Sequence, residues 1–127
     1  MRIKNIGIDA VEIERFKRWN TYKKETLLRV FTQLELDYIL ACPEKSAERF
    51  ATRFAVKEAV FKSISSSIAN SFFAAMHHIE VIKMESGDIA CRIGWERLQH
   101  KTNTVPQDIL VSVTHTRTTA IAIVMMQ

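Results

Sequence analysis

Residues 4–13, KNIGIDAVEI, are rich in β-branched residues and alternate in part between apolar and polar positions, the signature of a strand. From Glu14 to about Val30 the pattern turns charged and amphipathic and predicts a helix. Thr32-Gln33-Leu34-Glu35 is a capping box, with Thr32 as N-cap and Glu35 reaching back to it; the helix it opens ends by Pro43. Ser46 is placed to cap the longest helix, about 47–64. The serine-rich stretch 63–71 reads as a loop or helix end. Strands follow near 78–84 and 88–93, joined by the turn Ser86-Gly87-Asp88. A short helix is expected from Trp95 to Lys101. Pro106 then precedes two more strands, 109–115 and 119–126, separated by Thr116-Arg117-Thr118. The strands come in hairpins and do not alternate with helices. That order predicts an α+β fold with a mainly antiparallel sheet and a long central helix.

Composition narrows the class. At 127 residues, without an internal repeat or a shift in composition, 1–127 reads as a single domain. A hydrophobic fraction of 47% supports a real core, and only 3 glycines and 2 prolines argue against linkers. The net charge of +4 favours an acidic partner without saying which. Cys42 and Cys91 have neither CxxC nor zinc spacing and read as reduced thiols. The N-terminal segment lacks an apolar signal region, and the longest apolar run, Ala120 to Met126, is far too short for a bilayer. A soluble, cytoplasmic protein without a membrane partner is expected. No aromatic-interleaved basic patch or known binding motif points to nucleic acid.

Three polar residues break the local pattern. Asp9 sits mid-strand on the face of Val11 and Ile13, where an unpaired carboxylate is costly. It needs a cation, a donor or water, unless an edge strand turns it to solvent. Glu58 lies at the border of the apolar stripe Phe50, Phe54, Phe61, four residues after Phe54 and three before Phe61. Lys62 follows one turn later, which also describes a plain surface ion pair. His115 ends the strand LVSVTH on the face of Val111 and Val113, where a satisfied core histidine is the alternative. His77 and His78 have no metal-like spacing to another ligand. Two carboxylates from separate elements, with a lysine beside one, suit Mg2+ next to a phosphate. P-loop, GxGxxG and GxSxG motifs are absent, so the residues alone name no reaction.

At these positions the sequence resembles the holo-acyl-carrier-protein synthase family of 4'-phosphopantetheinyl transferases. Gly7-Ile8-Asp9-Ala10-Val11-Glu12-Ile13-Glu14-Arg15 is similar to its G-x-D-[IV]-V-x-I-x-R motif. Phe31-Thr32-x-x-Glu35 with Tyr38 resembles its second motif. Arg53-Phe54-Ala55-Val56-Lys57-Glu58-Ala59-Val60-Phe61-Lys62 resembles its R-[FW]-A-x-K-E-A-x-x-K signature. Val111-Ser112-Val113-Thr114-His115 with Ala120-x-Ala122-x-Val124 is similar to its C-terminal strands. The four motifs keep their order and span nearly the whole chain.

The resemblance implies the phosphopantetheinyl transferase fold and transfer of 4'-phosphopantetheine from coenzyme A to a carrier-protein serine, as in fatty-acid biosynthesis. It implies Mg2+ held by Asp9 and Glu58, with Glu58 as base and Lys62 stabilising the leaving phosphate. Arg53, Lys62 and His115 would contact coenzyme A, and a homotrimer would build the site between subunits. An acidic acyl carrier protein would dock on Arg15, Arg18 and Tyr22, which with Arg29 fall roughly along one face of the expected helix. The chain departs from the family after Lys62, where Ser63-Ile64-Ser65-Ser66-Ser67-Ile68 replaces a glycine-containing segment, and at Gly87-Asp88-Ile89, where the family has G-K-P. A non-catalytic carrier-binding or coenzyme A-binding protein that keeps the fold is the other reading.

Overall fold

A computed structural model describes residues 2–99, 101, 106 and 108–127. Strand β1 (Asn5–Glu12) leads through two 3-10 turns, Ile13–Phe16 and Trp19–Thr21, into the single turn α1 (Lys24–Leu27) and then α2 (Gln33–Leu40). The long helix α3 (Ser46–Ile64) follows, then a 3-10 turn at Ser65–Ser67 and α4 (Phe72–Met76). The hairpin β2 (Ile79–Lys83) and β3 (Ile89–Ile93) comes next, with Gly87 at φ +94° in its turn, a conformation that favours glycine. A last hairpin, β4 (Ile109–His115) and β5 (Thr119–Met126), completes the order. The fold is α+β, with an antiparallel sheet in the order β1-β5-β4, a separate two-stranded sheet β2-β3, and the long central helix.

Alternation along β1 and β5 explains how α3 seats on the sheet. Gly7, Asp9 and Val11 point inward, as do Ala120, Ala122, Val124 and Met126, and all are buried. Gly7 pairs with Val124 and Asp9 with Ala122. These inward residues are mostly small, so the helix lies close to the strand. A Cβ on Gly7 would sit 1.9 Å from the Ala59 carbonyl oxygen. Helix α3 is buried on most of its circumference, with Phe50, Ala51, Phe54, Ala55, Val56, Ala59, Val60 and Ile64 in the core.

Three expectations are corrected. The chain from Glu14 to Val30 is not one helix. Asn20 and Thr21 are weak helix formers, and the Thr21 hydroxyl donates to the Arg18 carbonyl at 2.6 Å, closing a turn. The Phe16 and Trp19 rings, 4.5 Å apart, lodge against Phe54 and Phe50 and wrap the segment around α3. Arg15, Arg18, Tyr22 and Arg29 therefore do not line one face of one helix. Nor does Ser46 cap α3: it is the first helical residue, and its hydroxyl donates to the Pro43 carbonyl at 2.9 Å. The short helix expected over 95–101 is a single 3-10 turn, Trp95–Arg97; residue 100 lies outside the described residues. Helix α4, capped by Ser71 accepting from the Ala74 N–H, had no counterpart in the sequence reading. The capping box formed as expected, with Thr32 N–H donating to Glu35 at 2.8 Å.

Candidate active site

Past Thr52, the residues of α3 that reach the surface are Glu58, Phe61 and Lys62. Glu58 and Lys62 stand one turn apart and face β1, whose close approach at Gly7 brings Asp9 to them. The Lys62 ammonium donates to Asp9 Oδ1 at 2.8 Å and to the Ile8 carbonyl at 3.2 Å. Asp9 thus turns inward to a cation even though β1 is an edge strand. The lysine answers the carboxylate across the sheet–helix interface, not its own neighbour on α3. Asp9 raises the affinity of Lys62 for its proton, first by this hydrogen bond, so the ammonium stays charged at neutral pH.

Asp9 is only 9% exposed, and its second oxygen, Oδ2, is buried without a hydrogen-bond partner among the described residues. Burial first, then the Asp9 hydrogen bond and charge, push the Glu58 carboxyl up to about 7, against the pull of Arg15 and Lys62. Two carboxylates this close in partial burial need either a shared proton or a cation between them. The donor set fits a hard divalent ion such as Mg2+, which takes one or two carboxylates and completes its shell with phosphate and water oxygens. Among the described residues no group of three or more His, Cys, Asp or Glu could hold a metal by protein ligands alone.

Other expected site residues lie elsewhere on the chain. Arg53 is 4% exposed and stacks on Tyr38, where Arg49 and Lys83 also converge at 4.0 and 5.3 Å from the ring centroid. Lys83 donates to the Tyr38 hydroxyl at 3.0 Å and thereby lowers its pKa. Arg53 Nε is buried without a partner among the described residues. His115 is exposed rather than a core histidine, and its Nε2 lies 2.9 Å from Glu48. It borders a cleft with Ile13, Lys17 and Arg117, separate from the cleft of Glu58 and Lys62. Arg15 places its guanidinium 5.0 Å from the Phe54 ring, one helical turn before Glu58, and acts on the Glu58 charge. Tyr22 packs on Trp19 at 5.8 Å, and Arg18 is exposed.

Two supporting residues escaped the sequence reading. Lys57 is wholly buried, donating to the carbonyls of Met76 at 3.1 Å and Ile79 and pairing with Glu35 at 2.8 Å. Glu35 also accepts from the Val81 N–H at 2.8 Å, so this pair ties α2, α3 and β2 together. The signal was available: Lys57, seven residues after Phe50 and three after Phe54, is more central to the apolar stripe than Glu58. Gly7 is the other, since only contact with Ala59 reveals why the position is bare.

A model of the 4'-phosphopantetheinyl transferase superfamily matches residues 5–124. The chain belongs to that superfamily. A curated holo-[acyl-carrier-protein] synthase of Caldicellulosiruptor saccharolyticus is 60% identical over 35 residues, a segment spanning 28% of either chain. Among solved structures, holo-[acyl-carrier-protein] synthase from Neisseria meningitidis superposes with a TM-score of 0.78 at 23% identity, over 99% of both chains. The Bacillus anthracis holo-(acyl-carrier-protein) synthase in complex with CoA (3',5'-ADP) gives 0.74 at 23% identity, over 98% of this chain and 96% of that one. The Mycobacterium tuberculosis acyl carrier protein synthase gives 0.67 at 25% identity, over 99% and 98%. The superfamily fold is therefore present along the described chain, with Asp9, Glu58 and Lys62 assembled where β1 meets α3.

Proposed function

We propose that the protein transfers 4'-phosphopantetheine from coenzyme A to a serine of an apo acyl carrier protein, in a Mg2+-dependent reaction that releases 3',5'-ADP. The observation that carries this is the buried Asp9 carboxylate, with Oδ2 partnerless among the described residues and Oδ1 on the Lys62 ammonium, acting on the Glu58 carboxyl. Superfamily membership and structural relatives solved with coenzyme A support it. Asp9 and Glu58 would hold Mg2+, which when bound supplies charge neutralisation at the phosphates. Glu58, on the surface side of α3 beside Lys62, is the group proposed to accept the serine proton as the hydroxyl oxygen attacks the β-phosphorus. The bond from that phosphorus to the oxygen bridging it to the α-phosphate then breaks. The Lys62 ammonium offsets the charge left on the departing 3',5'-ADP.

Arg53 with Arg49 and Lys83 forms a cationic cluster suited to the phosphorylated adenosine end, and His115 a separate cleft. These groups lie apart on one chain, which supports a site completed between subunits. The outward face of the main sheet supports the same reading. Ile6, Ile8, Ile121, Ile123, Met125 and Leu110 form a continuous apolar patch through the registers Ile6–Met125–Leu110, Ile8–Ile123 and Ala10–Ile121. A homotrimer that buries this patch is the assembly proposed. Arg15, Arg18 and Tyr22 remain the carrier-docking residues of this reading, presented by turns instead of a helix face.

The test is the intact mass of an apo acyl carrier protein incubated with this protein, coenzyme A and Mg2+. A gain of one phosphopantetheine that disappears with EDTA, and in Asp9→Ala and Glu58→Ala, is the expected result. Coenzyme A binding without any mass gain across several carriers would replace the enzyme with a carrier- or cofactor-binding protein. The helical Ser65–Ser67 turn, in place of a glycine segment, would be the cause to examine.

A further inference from the structure

The cleft at Glu58 and Lys62 has a second wall that the transfer reaction does not use. Phe61 and Phe72 complete a pocket of about 330 Å³ with those two residues. The Phe61 and Phe72 rings meet edge to face, 5.4 Å between centroids, and Phe72 leans on Phe54 at 5.8 Å. Phe73, 70% exposed, continues the aromatic surface 5.2 Å from Phe72. The Ser71 cap fixes the start of α4 and so the position of Phe72. Glu58 and Phe61 are i,i+3 neighbours, so their side chains lie side by side about 5–6 Å apart at Cβ.

A ligand that fills this cleft sets an apolar group against the two rings and an anionic group beside the Lys62 ammonium. Coenzyme A has that order of groups: its transferred phosphate is esterified to a CH2 whose next carbon bears two methyls. We propose that Phe61 and Phe72 form a specificity pocket for this gem-dimethyl segment of the donor, with Phe73 as its outer lip. The inference rests on the donor assigned under Proposed function. The charged wall takes the phosphate end, and the aromatic wall excludes water from the methyls and rewards their burial. Donors with an unbranched segment lose that contact while keeping every polar one.

The test is calorimetric affinity, with Mg2+ present, for coenzyme A, for a coenzyme A analogue lacking both methyls, and for 3',5'-ADP. The wild type is expected to prefer coenzyme A to the analogue by roughly tenfold, the worth of two buried methyls. In Phe72→Ala, and independently in Phe61→Ala, that preference shrinks to about twofold or less, because the rewarded contact is gone. Affinity for 3',5'-ADP stays at the wild-type value in both variants, which also reports that they fold. An undiminished preference in both variants overturns the pocket and leaves the donor assignment standing. Failure of the wild type to bind either coenzyme A or 3',5'-ADP overturns the donor assignment itself.

Discussion

Glu58 carries the clearest pH signature of any residue in the site. Its ordinary pKa of 4.5 is raised to about 7, chiefly by burial. A carboxyl with a raised folded pKa stabilises the fold while protonated. That contribution is full below about 4.5 and is lost as pH rises through about 7. The thermal midpoint of the metal-free protein should therefore fall over this window by more than that of Glu58→Gln. Parallel pH profiles for the two proteins would show that the carboxyl is not destabilised. Lys57 carries a different prediction. Burial lowers its pKa while Glu35 holds it charged, and each partner compensates the other in the core. Lys57→Met strands the Glu35 carboxylate and should cost about 3–5 kcal/mol in urea unfolding. The double variant Glu35→Leu/Lys57→Met should recover much of that loss; a double variant as unstable as the sum of the single changes would count against the buried pair.

At the level of elements, the contact that matters is β1 against α3. It places Asp9 on Glu58 and Lys62, and it depends on the bare Gly7 under the Ala59 carbonyl. A methyl there meets backbone, not a flexible side chain, so strand and helix must part. Gly7→Ala should lose about 1–3 kcal/mol in chemical denaturation. It should also lower coenzyme A turnover beyond the loss of folded protein, because the two carboxylates separate. Full activity per folded molecule would show that the site tolerates the shift. The aromatic wrap of 13–27 is the element whose form sequence periodicity misjudged. An amphipathic pattern is satisfied equally by a helix and by successive turns that plant Phe16, Trp19 and Leu27 on the same core.

On the scale of the whole molecule, the three-stranded sheet exposes an apolar outer face, which the proposed homotrimer would cover. Ile8→Lys puts a charge at the centre of that face, opposite Ile123. Light scattering should show the wild type as a trimer and the variant as a monomer, with phosphopantetheine transfer lost although Asp9, Glu58 and Lys62 are untouched. A monomeric, active wild type would refute the interfacial site. The sequence by itself determined the strands, the capping box, the long helix, and Asp9 and Glu58 as polar exceptions, with Lys62 one turn beyond Glu58. Period-two and period-3.6 patterning and capping chemistry are local, and so is the cost of a carboxylate on an apolar face. Only the tertiary structure decided that Lys62 serves Asp9 across the sheet–helix interface, that Lys57 is buried with Glu35, and that Arg53 and His115 open to different clefts. Those pairings join residues far apart in the chain, and no local pattern encodes which distant element will pack against a given face.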